Sequence, residues 1–238
     1  METTCRIHSV ESLGGLDGPG IRCVFFFQGC PLRCRYCQNP DTQTLTGGSL
    51  MSISEMMRIV DRMRPYFGDR EGGVTLSGGE PLAQPEGAAA MLQACRKAGV
   101  HTAVDTGGGC ADAASRAALA LADLVLLDIK HPDPQRAQEL TGVGIAGALT
   151  LLQDAEARQQ AVCIRHVVVP GWSDTLDDIQ LLAALLKPYR CIQRVELLPF
   201  HRLGDAKYLQ LGRTNPMGET PSMDKARLMA LQKAVFGK

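Results

Sequence analysis

The chain has no excess charge of either sign: 25 Lys and Arg stand against 25 Asp and Glu. That balance provides no field to gather nucleic acid or an anionic membrane surface, and neither is expected as a partner. No run approaches the roughly 20 apolar residues of a membrane span. The longest candidate, AALALADLVLLDI, is broken by Asp123. The opening METTCRIHSVES contains no apolar segment of signal-peptide type, so a cytoplasmic location is expected. Repeats, low-complexity tracts and a linker rich enough to divide domains are lacking too, and 1–238 is read as one domain. The nine cysteines are odd in number, which argues against a complete internal disulfide framework.

Six of those cysteines, Cys5, Cys23, Cys95, Cys110, Cys163 and Cys191, are scattered singly and read as small buried hydrophobes. The other three, Cys30, Cys34 and Cys37, lie in FQGCPLRCRYCQNPDT with C-x3-C-x2-C spacing. A structural zinc site wants a fourth Cys or His close by. No second C-x2-C pair follows, and the nearest histidines, His8 and His101, do not have zinc-finger spacing. Iron–sulfur clusters are held by thiolates, usually four for a [4Fe–4S] cube. Three cysteines leave one iron open to a substrate or cofactor.

Around this motif the sequence alternates apolar runs with amphipathic segments. Ile21–Phe27, Gly73–Leu76, Val100–Asp105, Leu124–Lys130, Ala161–Val169 and Arg194–Leu198 read as six strands. Between them, Ser52-x-x-Glu55 forms a capping box opening a helix. Glu86–Lys97, Ala111–Leu121, Ala146–Gln159 and Thr175–Leu186 follow as helices, and Ser222–Phe236 closes the chain with Ser222 as N-cap. Such alternation predicts parallel βαβ units, in a doubly wound sheet or a barrel. Every strand ends in a polar or Gly-rich cluster: QGC, SGGE, Asp105-Thr106, DIK, PGWSD and LPFH. That edge of an α/β sheet is where ligands bind.

C-x3-C-x2-C with an aromatic before the last cysteine resembles the motif of the radical S-adenosylmethionine (SAM) superfamily. GGLDGPGIRCVFFFQGCPLRCRYCQNPDT is more specific. It resembles the glycyl-radical-enzyme activating enzymes, most of all those serving pyruvate formate-lyase. The likeness continues through SGGEP, VDTGG, LLDIK, IRHVVVPGWSD and ELLPFHRLGDAKY. The resemblance implies an α/β fold, a partial (β/α)6 TIM-like barrel forming a single radical SAM domain over 1–238. Segment 1–20 would add to the partner and active-site face.

It further implies an oxidoreductase that cleaves SAM reductively at a [4Fe–4S] cluster held by Cys30, Cys34 and Cys37. SAM would fill the fourth position. The resulting 5′-deoxyadenosyl radical would take hydrogen from a glycine Cα of pyruvate formate-lyase. The residues matching the SAM site are Tyr36, Gln38, Gly78, Gly79, Glu80, Asp105, Thr106, Asp128, Lys130 and His201, with Arg165 on the same rim. Asp105 and Asp128 would share a monovalent cation. Asp17, Gly18, Pro19 and Gly20 match a block beside the partner's glycine loop. Gly107 stands where many relatives carry Asn or Ser, which predicts a looser loop. A flavodoxin or ferredoxin-type electron donor and a monomeric state are expected.

Two neighbouring readings remain. One is an activase for another client, such as glycerol or diol dehydratase or anaerobic ribonucleotide reductase. The cysteine-free stretch from Thr42 to Val74 lacks the ferredoxin-like insert of the dehydratase type. Ribonucleotide reductase activases lack the PGWSD and LLPFH blocks. The other reading is a non-catalytic, zinc-stabilised binding module.

Overall fold

The computed structural model describes residues 2–68 and 72–237. The chain divides into two compact units, one of residues 1–31 and 42–126, the other of 32–41 and 127–238.

In the first unit the long strand β1 (Thr4–Gly14) lies antiparallel between β2 (Arg22–Phe27) and the short edge strand β3 (Ser49–Ser52). From β2 the sheet continues to β4 (Gly73–Gly78), β5 (His101–Thr106) and the start of β6 (Leu124–Asp128). The pairs β2/β4 and β4/β5 are parallel. Each central strand is buried over nearly its whole length, as strands covered on both faces must be. Helices α1 (Ile53–Met63), α2 (Pro85–Lys97) and α3 (Ala113–Leu119) connect them. The expected capping box opens α1, with Ser52 and Glu55 exchanging side-chain and backbone bonds.

The second unit holds the end of β6 and the parallel pair β7 (Ala161–Val168) and β8 (Ile192–Pro199). Its helices are α4 (Pro134–Thr141), α5 (Ala146–Arg158), α6 (Leu176–Leu186), α7 (Asp205–Gln210) and α8 (Lys225–Phe236). The predicted start of α8 is corrected. Asp224, not Ser222, caps it by accepting from the Arg227 amide at 2.8 Å. A carboxylate there also meets the positive end of the helix dipole.

All six expected strands are present within two residues of their predicted ends. The expectation for the single cysteines holds for Cys5, Cys23, Cys95, Cys163 and Cys191, which are buried, whereas Cys110 is half-buried. Among the described residues, no helix is long and apolar enough to cross a membrane.

Candidate active site

In the first unit the site residues are the loops that leave β2, β4 and β5. Gly29 and Cys30 follow β2, and the Gly29 amide donates to the Thr42 carbonyl at 2.7 Å. The β4 loop is pressed against them. The amides of Gly79 and Glu80 donate to Phe27 and Gly29 carbonyls, each at 2.9 Å. Gly78 has φ +108°, in the left-handed region, and a Cβ there would lie 2.4 Å from the Phe27 nitrogen. A Cβ on Gly79 would lie 2.4 Å from the Gly29 carbonyl oxygen. Contact between two backbones is thus reason enough for both glycines, before any ligand is considered.

Glu80 does not face outward. It is 0% exposed. Its carboxylate accepts from the Thr106 hydroxyl and from the amides of Leu82, Gly107 and Gly109. Burial pushes its pKa up to about 7, and these donors pull against that shift. The β4 and β5 loops are therefore tied together through one carboxylate. Gly107, expected to loosen the loop, contributes one of those ties. Asp105 accepts from Ser77 at 2.8 Å, a partner that the sequence reading missed. Cys110 also lies near Glu80, and burial raises its pKa to about 11.

The Asp17–Gly20 turn is placed elsewhere. It precedes Arg22 at the start of β2, whereas Cys30 follows the end of that strand. Six residues of strand span roughly 20 Å. The turn is held from below by Arg22, which is fully buried. Its guanidinium donates to the Pro19 carbonyl, the Val74 carbonyl and the Thr75 hydroxyl. Thr75 in turn donates to the Asp17 carbonyl at 2.7 Å.

In the second unit the cysteine loop alternates in exposure. Leu32, Cys34 and Tyr36 are buried, while Arg33 and Arg35 are exposed. Arg35 lies over the Trp172 ring at 5.2 Å. The loop is pinned to the end of α4, because the Arg33 and Arg35 amides donate to the Thr141 and Leu140 carbonyls. Burial raises the pKa of Cys34 to about 11, so by itself it is a neutral thiol. Asp128 and Lys130, at the end of β6, pair at 2.5 Å, and the Lys130 ammonium stands 5.9 Å from the Tyr36 ring centre. Burial alone would lower the lysine's pKa. The Asp128 carboxylate beside it outweighs that, and the pKa is raised, so the ammonium stays charged.

Gln38 works as a clamp between two loops. Its amide nitrogen donates to the His201 carbonyl at 2.8 Å, and its oxygen accepts from the Gly204 amide at 2.9 Å. Gly204 fits closely here, since a Cβ would sit 3.2 Å from the Cys37 carbonyl and 3.1 Å from the Gln38 oxygen. Lys207 on α7 adds bonds to Asn39 and Asp41. None of Asn39, Asp41, Gly204 and Lys207 was a sequence candidate, though all four lie inside the NPDT and HRLGDAKY blocks. Arg165, on β7, accepts from the Ile129 amide through its carbonyl at 3.0 Å.

Among the described residues no three Cys, His, Asp or Glu side chains converge to hold one metal ion. A four-iron cube does not require that, because each thiolate takes a different iron.

The radical SAM superfamily model matches residues 24–186, which is most of the chain. The chain belongs to the radical SAM superfamily. Within it, the chain is 45% identical over 229 residues to the pyruvate formate-lyase-activating enzyme of Clostridium pasteurianum, covering 96% of this chain and 95% of that one. It is 39% identical over 237 residues to the enzyme of the same name from Staphylococcus aureus, covering 97% and 94%. These likenesses place it in the family of pyruvate formate-lyase-activating enzymes. Among solved structures, a domain of such an enzyme from Bacteroides vulgatus aligns with TM-score 0.57 and 25% identity, over 70% of this chain and 94% of that one. Streptococcus suis SuiB bound to precursor peptide SuiA aligns with TM-score 0.70 and 18% identity, over 90% of this chain and 44% of that one, a likeness of fold alone. The α/β fold class expected from the sequence is that of the superfamily.

Proposed function

We propose that this chain installs a glycyl radical on pyruvate formate-lyase, using a [4Fe–4S] cluster and SAM. The observation that carries the reading is the likeness to activating enzymes over nearly the whole chain, with the three-cysteine loop inside the matched stretch. Because residues 24–186 draw on both units, we propose that 1–238 works as one radical SAM domain.

The residues present suit these groups. None of the three cysteines is in a disulfide. Thiolates are soft donors, and bound iron deprotonates a thiol even where burial raises its pKa. Among the described residues the buried hydroxyl of Tyr36 has no hydrogen-bond partner, which fits a loop shaped around something that binds there. When bound, cluster and SAM together supply a one-electron reductive cleavage and the means to remove hydrogen from a glycine Cα.

The protein's part is to bind and orient. Cys30, Cys34 and Cys37 are the proposed cluster ligands. Lys130, kept charged by Asp128, offsets the SAM carboxylate. The Gly78–Gly79 backbone receives the SAM amino group, and Glu80 and Thr106 keep that loop in place. Tyr36, Gln38 and His201 flank the adenosyl end. Asp105 and Asp128 are proposed to attract a monovalent cation, and Asp17 to Gly20 to meet the partner. A flavodoxin or ferredoxin-type donor, a monomeric state and a cytoplasmic location complete the proposal.

The test mixes reduced protein, SAM and pyruvate formate-lyase without oxygen and looks for a glycyl radical by electron paramagnetic resonance. SAM cleavage without a radical on that partner points to a different client. Zinc without acid-labile sulfide in the anaerobically purified protein overturns the reading altogether.

A further inference from the structure

We infer that the Tyr36 hydroxyl is a hydrogen-bond donor held in reserve for a sulfur of the iron–sulfur group, where it raises the reduction potential. This rests on the cluster assignment above.

Tyr36 is 5% exposed, and its buried hydroxyl has no hydrogen-bond partner among the described residues. A buried O–H left without an acceptor is unfavourable, and native proteins rarely keep one without a use. The surroundings narrow the choice of acceptor. The Lys130 ammonium, 5.9 Å from the ring centre, is a donor only. The Asp128 carboxylate accepts from that ammonium at 2.5 Å and makes no bond with the hydroxyl. Cys34 and Cys37 stand close enough to act electrostatically on the same hydroxyl. Cys34 and Tyr36 are also both buried where the loop alternates in exposure. As thiols these cysteines are poor acceptors. As cluster ligands they carry the charge of thiolates, and the inorganic sulfides beside them accept as well.

A donor at such a sulfur stabilises the more negative, reduced state, and hydrogen bonds to sulfur are among the settings of cluster potential. The Lys130 ammonium, placed over the same ring, favours the reduced state too. Tyr36 is thus a positioning residue for charge on the cluster, through its hydroxyl as well as its ring.

The experiment is a redox titration of the reconstituted protein without SAM, wild type against Tyr36→Phe, followed by electron paramagnetic resonance. The expected result is a reduction equilibrium about tenfold less favourable in the variant, a fall of roughly 59 mV for one electron. The cluster-free variant should melt no lower than the wild type, because the lost hydroxyl had no bond to lose. If the phenylalanine protein does not assemble a cluster, two further measurements decide. Fluorotyrosine in place of tyrosine, a stronger donor, should raise the potential. Electron–nuclear double resonance on the wild type should show an exchangeable proton coupled to the cluster. An intact cluster with an unchanged potential and no such proton overturns the proposal, as does a variant altered only in SAM affinity. Protein lacking iron and sulfide overturns the cluster assignment, and this proposal with it.

Discussion

The Thr106 hydroxyl stands 2.8 and 2.9 Å from the two carboxylate oxygens of Glu80. Among the described residues every other partner of that carboxylate is a backbone amide, so the buried oxygens face donors. Glu80→Gln turns one acceptor into an NH2 group pointing at N–H donors. The expected cost is roughly 1–3 kcal/mol of stability, measured by urea unfolding. Thr106→Val should act on the same network from the other side. Variants as stable as the wild type would show that the two loops are held by other means.

The same carboxylate gives a pH dependence of definite sign. The raised pKa of Glu80, about 7 when folded, means the native state holds a proton that the unfolded chain has released between about pH 4.5 and 7. Alone, it makes stability fall as pH rises through that window. His166 acts oppositely. It is fully buried, and burial pushes its pKa down to about 4. The unfolded chain takes up a proton there between pH 6.5 and 4, so stability is lost as pH falls. Each slope is about 1.4 kcal/mol per pH unit, and they oppose between roughly pH 4.5 and 6.5. Removing Glu80's charge should expose the histidine slope. The unfolding midpoint of Glu80→Gln is expected to drop more steeply on acidification than that of the wild type, and equal slopes would refute the pairing.

Gly79→Ala should be far worse than Gly15→Ala. A Cβ on Gly79 meets the Gly29 carbonyl at 2.4 Å, while one on Gly15 meets nothing within 4 Å. Overpacking of this kind costs on the order of 3 kcal/mol. It also moves the Cys30 loop, so iron incorporation should fall in the first variant and stay normal in the second.

Gln38→Ala removes both bonds that clamp residues 201–204 to the cysteine loop. At about 1 kcal/mol each, local opening should become roughly 30-fold easier, read as faster amide exchange across residues 201–211. Gln38→Glu keeps the acceptor for the Gly204 amide and loses only the donor to His201. Its exchange should fall between the two, and equal exchange in all three proteins would contradict the clamp.

Cys34→Ala should abolish cluster assembly, seen as loss of bound iron and sulfide with the fold retained. A full complement of iron in this variant would remove Cys34 from the ligand set.

The six expected strands were legible because each is a short apolar run bounded by Gly, Pro or Asp. The α1 capping box was legible for the same local reason. β1 and β3 were not: TCRIHSVESLG is mostly polar, and only Cys5, Ile7 and Gly14 are buried along it. Pairing to β2, a long-range effect, makes it a strand. Helix α4 carries local signals of its own, for Asp133 caps it, Pro134 opens it and Gly142 ends it. At the site, residue types identified which loops matter. They did not reveal that Glu80 points inward or that Gln38 spends its amide on a neighbouring loop. Both depend on backbone groups remote in sequence, which no local pattern encodes.

Arg22 is invisible from solvent, yet it sets the form of an exposed turn. Its guanidinium grips the Pro19 carbonyl, and the Gly18 position leaves no room for a Cβ beside its side chain. The outer surface there is cast from the inside, as a mould shapes what is poured over it. Altering Leu16, which is 86% exposed, changes the texture of that surface and leaves its contour alone. Altering Arg22 redraws the contour without replacing one exposed atom.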